Sequence, residues 1–559
     1  MWPKRTFAGA LLAVAVSCAP IRPVGVAQTR PADRMEESGP LRRLGHSYLR
    51  WREDVLEARF AGGPYARGYA RGRVAYPELV RAEETIHELI GRFVPSALKR
   101  FLLGKIMAVN LRESIPKIPV EHHEEIAGLS DALRPDPFPN EWNPFARHLA
   151  LHALHDFSQR YVDGTPLAAA CTGFAASGRA TANRHTLMAR NFDFEAGDLF
   201  DREKIVAYVV PDHGIPYLSV TIGGLTGVTS GFNRQGIGIA IHAWSGGPTA
   251  SAGEPATLVA ADVLEHAATL AEAIAIIQRA SVFVSDIYLL ADGKTGELAA
   301  VEKTPQASAV RRERRLLLVA NHPETADFAR AGSLNATSTS LYRRRRLEEL
   351  VLPLSGRLGP LSAARVLRDR RGLKGKDIGA GNRNAVNGLI ASHSVVFDLT
   401  ARRAWVAAAP HGLGPFVAYS LDLGIQADPG DARFQRLSAA QIPPDPWLSS
   451  GGYSDFQSAR WLLSSGRRAL AKNDTAQAIA DASAALALSP GYVEALALRA
   501  EASAAAGRLA AARADCEAAL ARDPSPPTFA RSLEAFREAL EAGVRPAGRL
   551  AYAASASGH

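Results

Sequence analysis

Cys171 is where chemistry can first be argued. It follows three alanines in Ala168-Ala169-Ala170-Cys171-Thr172-Gly173-Phe174, and a charged-polar cluster, Arg190-Asn191-Phe192-Asp193, returns on the next strand-like run. A hairpin would set that cluster beside the thiol. A nucleophilic cysteine needs positive charge and orientation near its sulfur, which an Arg and a hydrogen-bonded Asp supply. The same pattern also suits a core cysteine, because free Cys is among the most buried residue types. Cys516, beside Ala518 and Ala519 in an Ala-rich helical stretch, reads as a small packed hydrophobe, and Cys18 lies in an N-terminal apolar segment. Three cysteines make no disulfide framework.

The elements that must position these residues fall into regions. The chain has 559 residues, 47% hydrophobic and 22% charged, which at about 100–200 residues per domain allows two to four domains. Its net charge of +9 comes without a basic stripe interleaved with aromatics, so no nucleic-acid partner is expected. Lys4 and Arg5 precede the apolar run Phe7–Val16, which Pro20 and Pro23 bring to an end. This predicts an export signal over residues 1–27, cleaved after Ala27, or a lipoprotein signal over 1–17 with Ala15-Val16-Ser17-Cys18 as lipobox. The expected location is the periplasm or, through lipid on Cys18, the outer membrane. No later run of about 18 apolar residues follows.

Residues 42–170 read as a helical leader, with apolar spacing of three and four in Leu79–Phe93 and Phe145–Tyr161. Residues 171–425 change to short β-branched runs, such as Tyr217–Ile222, Leu316–Val319 and Ser394–Asp398, around helical stretches at Ala256–Ala280 and Ser340–Leu352. That alternation predicts a layered α+β domain. Residues 455–545 are Ala-rich and helical, and they repeat: Ala478, Ala485 and Pro490 recur at an offset of 34 as Ala512, Ala519 and Pro524. The period and small-residue positions resemble tetratricopeptide repeats, either a packing module or a groove for a protein partner.

In order along the chain, Cys171-Thr172-Gly173, Arg190-Asn191-Phe192-Asp193, Gly231-Phe232-Asn233-Arg234-Gln235-Gly236 and Ala320-Asn321-His322-Pro323 resemble the N-terminal-nucleophile cysteine hydrolases. Within that superfamily, which includes choloylglycine hydrolases and acid ceramidase, the sequence is most similar to the autoproteolytic acyl-coenzyme A:isopenicillin N (6-aminopenicillanic acid) acyltransferase-like family. Leader motifs add to this: Phe60-Ala61-Gly62-Gly63-Pro64-Tyr65 through Gly68 and Gly72, and Glu124-Glu125 through Gly128 to Asp131. So do His393-Ser394-Val395-Val396-Phe397-Asp398 and Ala404-Trp405-Val406-Ala407 near the end. The resemblance covers about residues 55–425.

The resemblance implies a four-layer αββα sandwich and self-cleavage between Ala170 and Cys171, whose freed amine serves as base for its own thiol. The implied activity is transfer or hydrolysis of an acyl amide or thioester through an S-acyl enzyme, with no cofactor. By resemblance Arg190 and Asp193 tune the cysteine and Asn321 supplies an N–H to the oxyanion. Asn233, His242 and Arg343 are the implied substrate-binding residues, with the choice between Arg343 and Arg344 open. Two departures matter. Ala170 stands where Gly is commoner, and His242-Ala243-Trp244 replaces a second Asn found in choloylglycine hydrolases. His242 therefore reads as an oxyanion donor, a substrate ligand or a satisfied core histidine. The alternatives are a choloylglycine-hydrolase-like or phospholipase-like hydrolase, and a non-catalytic envelope scaffold using the repeats. His148, His152 and Asp156 share a helical face, but their apolar neighbours point to packing, and no metal is expected.

Overall fold

The computed structural model describes residues 20–26, 30–31, 34–162, 170–194, 197–244, 246–329, 338–544, 546 and 550. Of the signal over 1–27, residues 1–19, with Cys18, and residue 27 lie outside the described residues.

The leader does not begin as helix. Strands β1 (Met35–Ser38), β2 (Leu41–Leu44), β3 (Ser47–Arg52) and β4 (Val55–Gly62) form an antiparallel series. Glu53 and Asp54 both take positive φ, 51° and 61°, between the paired Arg52 and Val55, which is the two-residue turn whose twist matches a hairpin. Alternation within β4 buries Leu56, Ala58 and Phe60 in one cluster, a strand period hidden beside the long helical runs downstream. These runs are α1 (Pro64–Val74), α2 (Tyr76–Phe93), α3 (Ala97–Ser114), α4 (Val120–Asp131), α5 (Pro144–His152) and α6 (Leu154–Val162).

The leader's glycines have a structural use. A Cβ at Gly68 would lie 1.8 Å from the Glu125 carbonyl oxygen, and one at Gly128 would lie 2.1 Å from that of Tyr65. Helices α1 and α4 therefore touch backbone to backbone. Across this seam the buried Arg67 pairs with Glu125 at 3.1 Å and with Glu265 of the main domain at 3.0 Å.

Two sheets follow. The smaller has the order β14-β5-β6-β15-β16-β17, with β5 (Ala170–Ala176), β6 (Leu187–Asp193), β14 (Leu316–Val319), β15 (Ala391–Asp398), β16 (Arg403–Ala407) and β17 (Phe416–Ser420). The larger has eleven strands: β1 to β4 run on through β7 (Ile205–Pro211), β8 (Tyr217–Thr221), β9 (Ser230–Asn233), β10 (Ile237–Ala243), β11 (Asp286–Asp292), β12 (Leu298–Lys303) and β13 (Ser308–Glu313). Among the described residues all strand pairs are antiparallel except β4 with β7. Leader strands and main-domain strands thus share one sheet.

Val206, Tyr208 and Phe232 of the larger sheet meet Val395, Phe397 and Val417 of the smaller in one core. The larger sheet's other face packs Ile239, Leu290 and Val301 against Val259, Leu264 and Ile274 of α7 (Ala256–His266) and α8 (Leu270–Arg279). The helical stretch expected over 256–280 is two helices, because Thr269 and Glu272 form a capping box that starts the second. The smaller sheet's other face packs Phe174, Val396 and Trp405 against α9 (Ser340–Val351) and α10 (Pro360–Leu367).

The C-terminal region is helical: α11 (Gly452–Ala471), α12 (Thr475–Leu488), α13 (Val493–Ala505), α14 (Leu509–Leu520) and α15 (Pro527–Glu541). Helices α12 and α14 start 34 residues apart, as do α13 and α15. Asn473 and Gly507, also 34 apart, both turn the chain with positive φ, the left-handed cap that ends a helix. Buried Ala478, Ala482 and Ala495 let neighbouring helices approach. The array rests on the main domain, where Asn382 and Asn384 donate to the Asp523 carbonyl at 3.1 and 2.9 Å.

Candidate active site

Pairing of β5 with β6 sets Cys171 opposite Phe192 and Gly173 opposite Arg190, the hairpin adjacency expected from sequence. Arg190 is wholly buried and reaches from the smaller sheet to the larger. Its Nη2 donates to Cys171 Sγ at 3.0 Å and to the Ile241 carbonyl, and its Nη1 donates to the Thr229 carbonyl at 2.6 Å and to Ser230 Oγ at 2.5 Å. Its guanidinium also lies over Phe192, 4.6 Å from the ring centre. Anchored in both sheets, Arg190 holds positive charge at the buried sulfur.

The main-chain nitrogen of Cys171 donates to Asn321 Oδ1 at 2.8 Å. Arg343 Nη2 donates to the same oxygen at 2.7 Å, while its Nη1 donates to the Cys171 carbonyl at 2.6 Å and to Thr172 Oγ1 at 2.7 Å. Two donors on one side fix the amide's orientation, so Asn321 Nδ2 faces the Ala243 carbonyl, 2.8 Å away. The Asn321 oxygen therefore holds the Cys171 nitrogen, while one of its two amide N–H groups is taken by Ala243. The choice between the two arginines is also decided. Arg343 is buried on Cys171, whereas Arg344 pairs with Glu324 and Glu348. Arg343 thus grips the cysteine's own backbone, where a substrate ligand was expected.

Asp193 stands across the ladder from Ala170. Burial pushes its carboxyl up to about 6 against the opposing pull of Arg343, Arg383, Arg190 and His411, and its Oδ1 has no hydrogen-bond donor. His242 is buried with neither ring nitrogen bonded. Burial and the nearby Arg190 and Arg343 hold it well below the usual histidine range, so it is neutral. A Cβ at Gly173 would lie 3.0 Å from its ring, which places it on the Cys171 side of β5.

Asn233 is a second correction. Its Oδ1 accepts from Gln235 and Ile237 nitrogens, and its Nδ2 donates to the Leu264 and Ala267 carbonyls. It closes the β9–β10 turn and caps α7, with no donor or acceptor left for a substrate.

Several participants escaped the sequence reading. His393 Nε2 meets Ser230 Oγ at 2.9 Å, extending the Arg190 network to β15. Beside it opens a narrow pocket walled by Leu151, Phe192, Phe194, Phe200, Ile222 and His393. From the leader, His155 Nε2 and Gln159 Nε2 reach Asp286 Oδ1 at 2.9 and 2.8 Å, and Asp286 pairs in register with Ala243. A leader histidine matched to a distant strand carboxylate carries no local signal. His148, His152 and Asp156 do not converge: the helix breaks between α5 and α6, His152 Nε2 bonds Thr226, and Asp156 accepts from Ala256. Cys516 Sγ lies 3.2 Å from the Leu533 carbonyl, and burial pushes its thiol up to about 11.

A protein of Archaeoglobus fulgidus, described only as uncharacterized, is 28% identical over 255 residues, covering 42% of this chain and 41% of its own length, so the match spans about two-fifths of that relative. Among solved structures, a Caenorhabditis elegans ortholog of N-acylethanolamine-hydrolyzing acid amidase is 18% identical and covers 41% of this chain and 93% of its own, at a TM-score of 0.32. A mutant conjugated bile acid hydrolase from Clostridium perfringens is 13% identical, covers 43% and 89%, and has a TM-score of 0.28. Residues 179–411, which carry Arg190, Asp193, His242, Asn321 and Arg343 and begin shortly after Cys171, match the acyl-coenzyme A:6-aminopenicillanic acid acyl-transferase family.

Proposed function

We propose that this chain is an N-terminal-nucleophile cysteine enzyme, an αββα sandwich that cuts itself between Ala170 and Cys171 and then transfers or hydrolyses acyl groups of amides or thioesters. The observation that carries the reading is the double grip on Cys171: Arg190 at its sulfur and Asn321 at its nitrogen. A structural cysteine has no need of its backbone nitrogen being held by a side chain that a buried Arg also orients. In the processed enzyme, the α-amine takes the thiol proton as sulfur attacks the acyl carbonyl, and gives it to the leaving amine. Water or an acceptor amine then releases the S-acyl group. Asp193, opposite Ala170, orients the amine, and neutral His242 offers a free N–H to the oxyanion. The apolar pocket by Phe192 and Phe194 suits the acyl chain. Export, a lipid anchor on Cys18, and a tetratricopeptide-like C-terminal module for a protein partner complete the proposal.

The test is intact mass measurement with N-terminal sequencing of the purified full chain, followed by parallel assay of acyl amide, ester and thioester probes. A new chain beginning at Cys171 supports the reading; a folded, uncut and inactive chain sinks it.

Two further results are expected. Arg343→Lys keeps the charge but cannot bridge Cys171, Thr172 and Asn321 together, so kcat/KM should fall about 10–100-fold, the equivalent of one charge-assisted bond. Arg344→Lys should change little. Asp193, with its raised folded pKa of about 6, should give kcat/KM an acidic limb near that pH, and Asp193→Asn should remove the limb. The sign for stability is opposite. Between about pH 4 and 6 the folded carboxyl holds a proton that the unfolded chain has lost, so this group's contribution to stability falls as pH rises through that window. Urea unfolding of wild type and Asp193→Asn across pH 4–7 reads it directly.

A further inference from the structure

Away from Cys171, three side chains converge where the leader meets the main domain. His122 lies on α4, Asp262 on α7, and Glu254 in the segment leading into α7. One ligand atom from each lies within 4.8 Å of the others, with His122 Nε2 and Asp262 Oδ1 2.9 Å apart. Glu254 is 4% exposed, and its Oε1 has no hydrogen-bond donor. The Glu254 backbone is tied down, its nitrogen donating to the Ser281 carbonyl at 2.7 Å. Asp262 is 17% exposed at its side chain, leaving an approach from solvent.

We propose that His122, Glu254 and Asp262 form a divalent transition-metal site, best suited to Zn2+, that joins leader helix α4 to α7. A buried carboxylate oxygen without a donor, next to a second carboxylate, is stabilised when a cation sits between them. Metal–ligand bonds of about 2.0–2.2 Å around a four-coordinate ion put donors roughly 3.3 Å apart, a spacing within reach of this set through small side-chain rotations. One imidazole and two carboxylates favour zinc-like ions over Ca2+, which takes six or more oxygens. A water fills the fourth position, reached from the solvent side of Asp262. The ion would act as a clamp on the leader, beside the Arg67 pair and separate from the chemistry at Cys171.

The experiment strips the full chain with a chelator and titrates it with Co2+ and then Zn2+, following visible absorption, bound metal per chain and melting temperature. Wild type should take one Co2+ with the intense bands of four-coordinate cobalt, lose them to Zn2+, and melt higher when loaded. His122→Ala and Asp262→Asn should each bind at least about tenfold more weakly, while His213→Ala, an exposed histidine outside the cluster, binds as wild type. Asp262→Asn is nearly isosteric and part-exposed, so it carries the test if His122→Ala does not fold by circular dichroism. Equal affinity in wild type and Asp262→Asn, or only the weak spectrum of hydrated cobalt, would overturn the site and leave a proton-linked triad in its place.

Discussion

Cys171→Ala is expected to leave the chain uncut at Ala170 and to abolish turnover, by at least about 10^4-fold, because a nucleophile's loss is not compensated by the remaining groups. Wild type should yield a fragment with Cys171 at its N-terminus; the variant should show only the precursor mass. The fold should survive. Cys171 is fully buried, but removing one sulfur leaves only a small cavity, which costs far less than the loss of a large side chain. Arg190 keeps its carbonyl and hydroxyl acceptors on Thr229, Ser230 and Ile241, so its charge stays solvated by protein. Cys516→Ala is the matching control. Its thiol is buried in the helical array and pushed up to about 11, and activity should not change. Equal losses in the two variants would mean that thiol deletion acts through stability, and Cys171 would lose its assigned role.

The second large effect belongs to the leader seam. Arg67→Ala should destabilise the chain by about 3–5 kcal/mol, because it leaves Glu125 and Glu265 buried without their shared cation. Arg67→Met, of similar length but uncharged, should be nearly as damaging, which separates lost charge from lost packing. Gly128→Ala attacks the same seam sterically: its Cβ would meet the Tyr65 carbonyl oxygen at 2.1 Å, a backbone contact that only helix separation relieves. Urea midpoints of the full-length variants give the measurement, and changes within about 0.5 kcal/mol would show that α1 and α4 are not held as described.

Cys171, Arg190, Asp193 and Asn321 were legible as a set because three of them lie on two adjacent strands whose pairing follows from a hairpin, and the fourth sits in a motif that resembles a known family's. The strand runs at Leu316–Val319 and the helix at Ser340–Val351 were legible too, since period and termini are local properties. The opening hairpins were not. Glu57 and Arg59 alternate with Leu56, Ala58 and Phe60, but the run is short beside the helical stretches that follow it, and β4 is completed by β7, far away in sequence. Asn233 misled for a related reason: an Asn in a turn motif looks the same whether its amide faces a substrate or the end of a helix.

By itself, the sequence determined which side chains could do chemistry, where strands give way to helices, and that the C-terminal helices recur every 34 residues. These follow from residue type and from periods that span a few turns of chain. Only the tertiary structure decided that Arg343 and not Arg344 holds Cys171, that the Asn321 oxygen faces the cysteine nitrogen, and that His122 meets Glu254 and Asp262 across the leader seam. Neighbouring residues on a helix point in directions about 100° apart, so which one enters the site depends on how the helix packs against the sheet. Contacts between residues more than a hundred positions apart depend on that packing alone.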